Sequence, residues 1–395
     1  MPRMPAVGAD CRAVNRKART MGAQDSLSRR DFLAITALAF AGNSWANPPA
    51  IPSHGKIGSV IGFGKAQDNK RYFISTVDFE GQQKGVRWQS DIDFFGHGFM
   101  PNPRRPHLAV VAEKHGRGCI EWDMAARKVT RALSIVGERQ FYGHGVFTPD
   151  AKHLLLVETV VEDGSYRGVI SIRDGTSYEL LGEFPSYGAA PHDVILIDGG
   201  KTLVVTNGGG VLNGGDTPCV CFVDVKTRAL RRRVEVPGGR MNAGHLALTL
   251  QGGLVVVSAP RTGIAEDSGD FFGGISFALP GQELHAAEDD IIRAMKGETL
   301  SLAIHQPSMV VAATSPAGGL LTFWDLRSGK LIKASREFQG PRGVSVTLNG
   351  RYFVLTYGKQ GHAVLIDTQT LQTVEESYVE RTLISGSHNF VHFLA

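Results

Sequence analysis

The chain has 395 residues, 42% of them apolar and 20% charged, which excludes an intrinsically disordered or collagen-like protein. Its formal charge of +4 resides in residues 1–46. The remainder carries 35 basic and 35 acidic residues, so bulk charge does not point to nucleic acid as a partner.

The first element in chain order is an export signal. Ser28-Arg29-Arg30-Asp31-Phe32-Leu33 has the form of a twin-arginine motif, with Arg29 and Arg30 read by the twin-arginine translocase. An apolar stretch from Leu33 to Ala41 follows, too short for a permanent span. Ser44-Trp45-Ala46 places small residues at the two positions a signal peptidase reads. Residues 1–46 are therefore expected to be a cleaved leader, residues 47–395 the mature domain, and the periplasm its compartment. Met21 is an alternative start. No later apolar run approaches about 18 residues, so no membrane span is expected in the mature chain.

A strand ending in Asp then recurs: Ser75–Asp78, Ile120–Asp123, Ser171–Asp174, Cys221–Asp224, Thr322–Asp325 and Leu365–Asp367. The spacings are 45, 51, 50, 101 and 42, and the long gap holds a degenerate copy at Ile275–Ala278. Seven copies at roughly 50 residues each match the period of a propeller. A second landmark precedes each later copy: Gly96-His97, Gly143-His144, Pro191-His192, Gly244-His245, Leu300-Ser301 and Arg342-Gly343. Continuous apolar runs such as Leu154–Val157 and Leu203–Thr206 follow, as expected for sandwiched strands. Each repeat reads as four antiparallel strands. The fold class is thus an all-β, seven-bladed β-propeller of the WD40/YVTN-like type. The lone strand at His388–Phe393 is expected to close it as the innermost strand of blade one, paired with the strand holding Phe73–Val77. One helix is expected at Glu288–Lys296, and Gly208–Gly215 reads as a mobile rim loop. Cys119, Cys219 and Cys221 read as buried free thiols, because a bridge between Cys219 and Cys221 on one strand is geometrically poor.

The histidine register carries the chemistry. His97, His144, His192 and His245 occupy one repeat position, and ring closure adds His388. Five imidazoles would then line one mouth of the channel, where they suit a transition metal ion such as iron, copper or zinc. Affinity is expected to fall as pH drops through about 6.5, the ordinary imidazole value. Glu113 and Glu158 end second strands at the same rim and read as direct ligands or as acceptors that orient the rings. The competing reading is that each histidine pins its own blade by a hydrogen bond. No Gly-x-Ser-x-Gly elbow is present, and no catalytic residue is assigned.

Gln140-Phe141-Tyr142-Gly143-His144-Gly145-Val146-Phe147, Arg117-Gly118-Cys119, Gly182-Glu183-Phe184-Pro185-Ser186, Pro191-His192, Thr206-Asn207-Gly208-Gly209 and Thr314-Ser315-Pro316 resemble the bacterial, twin-arginine-exported propeller family called domain of unknown function 1513. The chain departs from that pattern after Asn207 and around His245. The resemblance implies a periplasmic propeller associated with iron acquisition, with imelysin-like or di-haem proteins as partners, and it implies no defined chemistry. Three functions follow as expectations: a metal-binding or metal-handling protein, a metal-free interaction platform in the same uptake system, or a propeller enzyme of lactonase-like or oxidoreductase type.

Overall fold

The computed structural model of the chain describes residues 55–394, apart from residues 67, 82, 83 and 163. Arg29, Arg30 and the expected cleavage point after Ala46 lie outside the described residues. Within them the protein is all-β, with 27 strands and three short 3₁₀ segments. No helix among the described residues is long and apolar enough to cross a membrane.

The strands form six antiparallel sheets built as up-and-down meanders. One sheet has eight strands. It is two four-strand meanders joined where Lys114 pairs with Tyr142. Polarity changes regularly across a meander. Second and third strands such as Thr202–Asn207 and Leu320–Asp325 are buried almost throughout, because a neighbouring sheet covers each face. Fourth strands are wetter: Lys128–Ala132 is exposed at every residue and Lys330–Ser335 alternates. Seven apolar clusters lie between successive meanders. One of them packs Val60 and Val77 of the first sheet against Val354, Ala363 and Leu365 of the last.

The recurring Asp is a turn device. The Asp123 carboxylate accepts from the amides of Ala125 and Ala126, Asp174 from Thr176 and Ser177, and Asp367 from Gln369 and Thr370. A short side chain that mimics a backbone turn is what a tight link between third and fourth strands requires.

The C-terminal strand Asn389–His392 pairs with Ser59–Lys65, with Gly62 opposite Asn389 and Ser59 opposite His392. This corrects the expectation of pairing beside Phe73–Val77, since Ser59–Lys65 stands between the two. That strand escapes a hydropathy reading because two of its seven residues are glycines. Both are required by close approach: a Cβ at Gly62 would run into Ile384, and one at Gly64 would overlap the Leu383 carbonyl. Phe390 on the C-terminal strand is buried, with ring centroids 6.2 Å from Phe63 and 5.6 Å from Phe99. Phe390→Ala is expected to cost about 3–5 kcal/mol in denaturant unfolding. A loss below about 1 kcal/mol would mean that this strand is not part of the cooperative fold.

Two local expectations change. The helix at Glu288–Lys296 is only a 3₁₀ segment, Asp290–Ala294, because the chain is pulled into a bridge between Phe272 and Lys296. Residues 208–216 fold around Arg261, whose guanidinium donates to the carbonyls of Gly209, Val211 and Asp216 at 2.9, 2.6 and 2.9 Å.

Candidate metal centre

The landmark histidines lie on, or just before, the first strands of five meanders: Gly96–Asn102, Arg139–Phe147, Pro191–Ile197, Leu246–Leu248 and Asn389–His392. They do not share one register position. His144, His245 and His388 immediately precede Gly145, Leu246 and Asn389, which pair with Leu156, Val256 and Gly62 of their second strands. His97 and His192 stand one residue earlier relative to the equivalent pairs, Phe99 with Val111 and Val194 with Val205. Register shifts ahead of Gly98, Gly145 and Val194 absorb the difference. Glycine lets the strands close in. Gly143 has φ +97°, and a Cβ there would lie 2.5 Å from Cδ2 of His97.

All five rings converge. Their centroids are 4.8 Å apart for His97 and His144, 4.8 Å for His97 and His388, 5.1 Å for His144 and His245, 4.3 Å for His192 and His245, and 4.2 Å for His245 and His388. Nε2 of His245 lies 2.8 Å from Nε2 of His192 and 3.2 Å from Nε2 of His144. One ring nitrogen from each of His97, His144, His245 and His388 falls within 4.8 Å of the others, and all four residues are buried. These four histidines can hold a metal ion. His192 belongs to the same cluster through His245.

The chemistry fits a metal better than a set of pinning hydrogen bonds. Burial, followed by neighbouring charges, keeps the imidazoles neutral: His144 is pushed down to about 3, and His97, His192, His245 and His388 well below 6.5. The expected loss of affinity through pH 6.5 therefore moves to lower pH, because the rings stay unprotonated below that value. A neutral imidazole has one N–H to donate, so the single Nε2 of His245 cannot satisfy both of its neighbours as a donor. Nε2 of His97 and of His388 are buried without any hydrogen-bond partner. Each such orphan costs about 1–3 kcal/mol, and a cation accepting their lone pairs removes the cost. Two nitrogens bound to one ion at about 2.0–2.1 Å stand roughly 3 Å apart, close to the spacing seen around His245.

A carboxylate does serve the cluster, but it is Asp193. Fully buried, it follows His192 and occupies the register slot that His144, His245 and His388 hold in other meanders. Its Oδ1 lies 3.4 Å from Nδ1 of His144 and accepts from the Val194 amide, while Oδ2 accepts from Leu246 N across the meander boundary. Burial pushes this carboxyl up to about 7 against the pull of the two amides. An acceptor at Nδ1 selects the tautomer whose Nε2 lone pair faces the cluster. Asp193→Asn is expected to weaken metal binding by about 10–100-fold in a chelator competition, with the fold unchanged in circular dichroism. Unaltered affinity would leave Asp193 a purely structural residue.

Glu113 and Glu158 turn elsewhere. Glu113 Oε2 accepts from Gly118 N at 3.0 Å. Buried Glu158 meets Arg173 at 3.2 Å and Arg139 at 3.4 Å. Position at the rim was legible for both, but the direction of the side chain was not. Sequence reading also missed the polar groups around the rings. Tyr142 packs on His192 at 5.0 Å, Lys114 Nζ lies 5.9 Å from the Tyr142 ring, and Arg342 takes in the last sheet the register position of His97 and His192. Cys119, Cys219 and Cys221 are free and buried, with 3.6 Å between the Sγ atoms of the last two.

The family described as "Protein of unknown function (DUF1513)" matches residues 92–380. No curated protein matches the chain in sequence. Among solved structures, hydrazine synthase from Kuenenia stuttgartiensis is similar over 78% of this chain and 95% of its own, with TM-score 0.61 and 13% identity. A hypothetical selenium-binding protein from Sulfolobus tokodaii is similar over 85% of this chain and 92% of its own, with TM-score 0.62 and 12% identity. At such identities the likeness is one of fold, and with its successive antiparallel meanders packed face to face that fold is a β-propeller.

Proposed function

We propose, for a chain that belongs to the DUF1513 family, a periplasmic metal-handling protein that serves iron or copper acquisition and holds its ion among the histidines of a seven-bladed, closed ring. One observation carries the metal: four buried histidines offer ring nitrogens within 4.8 Å, and two of those rings have an Nε2 with no other partner. Imidazole nitrogens of intermediate softness favour iron, copper or zinc over magnesium or calcium. Seven inter-sheet clusters and the pairing of Asn389–His392 with Ser59–Lys65 support the ring. The periplasm rests on the motif at Arg29 and Arg30, and imelysin-like or di-haem partners rest on the family resemblance.

The test is metal analysis of protein purified from the periplasm after native export. About one equivalent of iron, copper or zinc per chain is expected, and it should be lost on dialysis against a chelator. Protein that is metal-free after export, and takes up none of the three in titration, would replace this reading with the interaction platform. Changing Arg29 and Arg30 together to Lys should hold the protein in the cytoplasm, since an ammonium does not reproduce the guanidinium fork.

A further inference from the structure

We propose that a small carboxylate-type oxyanion, a carboxylate or carbonate, binds beside the histidines, between Lys114, Arg342 and the histidine-held ion. This deepens the metal reading above and rests on it.

Two cations flank the cluster from different sides. Lys114 follows Glu113, the residue paired with Gly96, and itself pairs with Tyr142, two residues before His144. It therefore enters from the His97 and His144 side. Arg342 enters from the His388 side: a Cβ on the next residue, Gly343, would lie 2.7 Å from the carbonyl carbon of His388. Arg342 Nε donates to Gly386 O at 3.2 Å. No hydrogen bond engages its two Nη atoms, and no ion pair within 4.0 Å reaches Arg342 or Lys114 among the described residues.

The charge arithmetic then needs an anion. Neutral imidazoles bring no negative charge to a bound cation. The Lys114 ammonium stands close to the cluster: its Nζ lies 5.9 Å from the Tyr142 ring, which packs on His192 at 5.0 Å. The nearby carboxylates offset this only in part. Asp193 is engaged by His144 and two amides, and Glu298, whose field reaches Lys114, Tyr142 and Arg342, forms no ion pair with either cation. A divalent ion, an ammonium and a guanidinium would sit together in excess positive charge. An oxyanion resolves this by placing one oxygen on the metal and presenting the others to the guanidinium fork, whose planar geometry matches a carboxylate. Leu300 holds the equivalent register position in the sixth meander, so the first-strand mouth presents five imidazoles, one apolar side and one guanidinium.

The experiment titrates full-length mature protein with copper(II), by chelator competition and electron paramagnetic resonance. It is run in carbonate-free chloride buffer, then with bicarbonate, acetate or phosphate at equal ionic strength. Bicarbonate or acetate is expected to tighten copper binding by about tenfold or more and to change the copper spectrum. Lys114→Met and Arg342→Gln should each bind copper as the wild type does without the anion, and Arg342→Lys should recover part of the gain. Copper binding that ignores the anions, or an anion effect that survives in both variants, overturns the subsite and leaves the metal reading standing. A gain with phosphate alone overturns the carboxylate class. Failure to bind copper, iron or zinc in any buffer overturns the metal reading and the subsite with it.

Discussion

His245→Ala is expected to yield a folded protein that no longer retains its metal. His245 is the hub of the cluster: its Nε2 contacts those of His192 and His144, and its ring is the nearest neighbour of His388. Removing an outer-shell partner costs about 10–100-fold in affinity, and removing a ring at the centre of the donor set should cost more than about 100-fold. The main chain does not depend on this imidazole. The Gly244 amide is bonded to Val257 O and the His245 carbonyl to Val257 N, both backbone contacts that alanine keeps. His144→Ala should behave alike, with Asp193 losing its partner in addition. Calorimetric titration and thermal unfolding of the same samples separate the outcomes. A variant that binds metal normally but unfolds more easily would support the pinning role and end the metal assignment for that residue.

The metal-free protein is expected to lose stability steeply as pH falls below 6.5. Burial holds His97, His144, His192, His245 and His388 below their unfolded value of 6.5. Their contribution is therefore complete above that pH. Below it the unfolded chain takes up protons that the folded chain refuses, at about 1.4 kcal/mol per pH unit for each histidine. Asp193 opposes with one proton: its carboxyl is raised to about 7 when folded, so between that value and its unfolded value the native state is the better proton acceptor. The net slope is roughly 5 kcal/mol per pH unit once all five are engaged. Against a total stability of about 5–15 kcal/mol, the apo chain should unfold within about one to three units below 6.5. Bound metal should move that transition to lower pH, because it stabilises the neutral rings. Urea midpoints at several pH values, with and without metal, measure both effects. A midpoint that stays constant down to pH 4.5 in the apo protein would mean that the rings protonate in place and that the cluster is open to water.

The division between what was legible in the residues and what was not follows a physical line. Strand endings at Asp123, Asp174, Asp224, Asp325 and Asp367, the glycine before His97, His144 and His245, and the buried apolar runs are local. Turn chemistry, close approach and burial on both faces act within a few residues, so repetition along the chain exposes the meander and its period. That His97, His144, His192, His245 and His388 would meet was legible for the same reason, since repeats that stack bring the starts of their first strands side by side. The direction of individual side chains was not. A strand sends successive side chains to opposite faces, and the register shifts ahead of Gly98, Gly145 and Val194 change which residue of each pair faces inward. Glu158 sits at the expected rim yet turns into Arg173 and Arg139, while Asp193, one residue past a recognised histidine, becomes the carboxylate beside His144. Lys114 and Arg342 come from sequence positions 228 residues apart and meet the cluster only because the first and last sheets pack together. Sequence alone therefore determined the repeat, its sheet chemistry and the identity of five ligand candidates. The tertiary structure alone decided which charges stand beside them, because that depends on bulge register and on the packing of one sheet against the next.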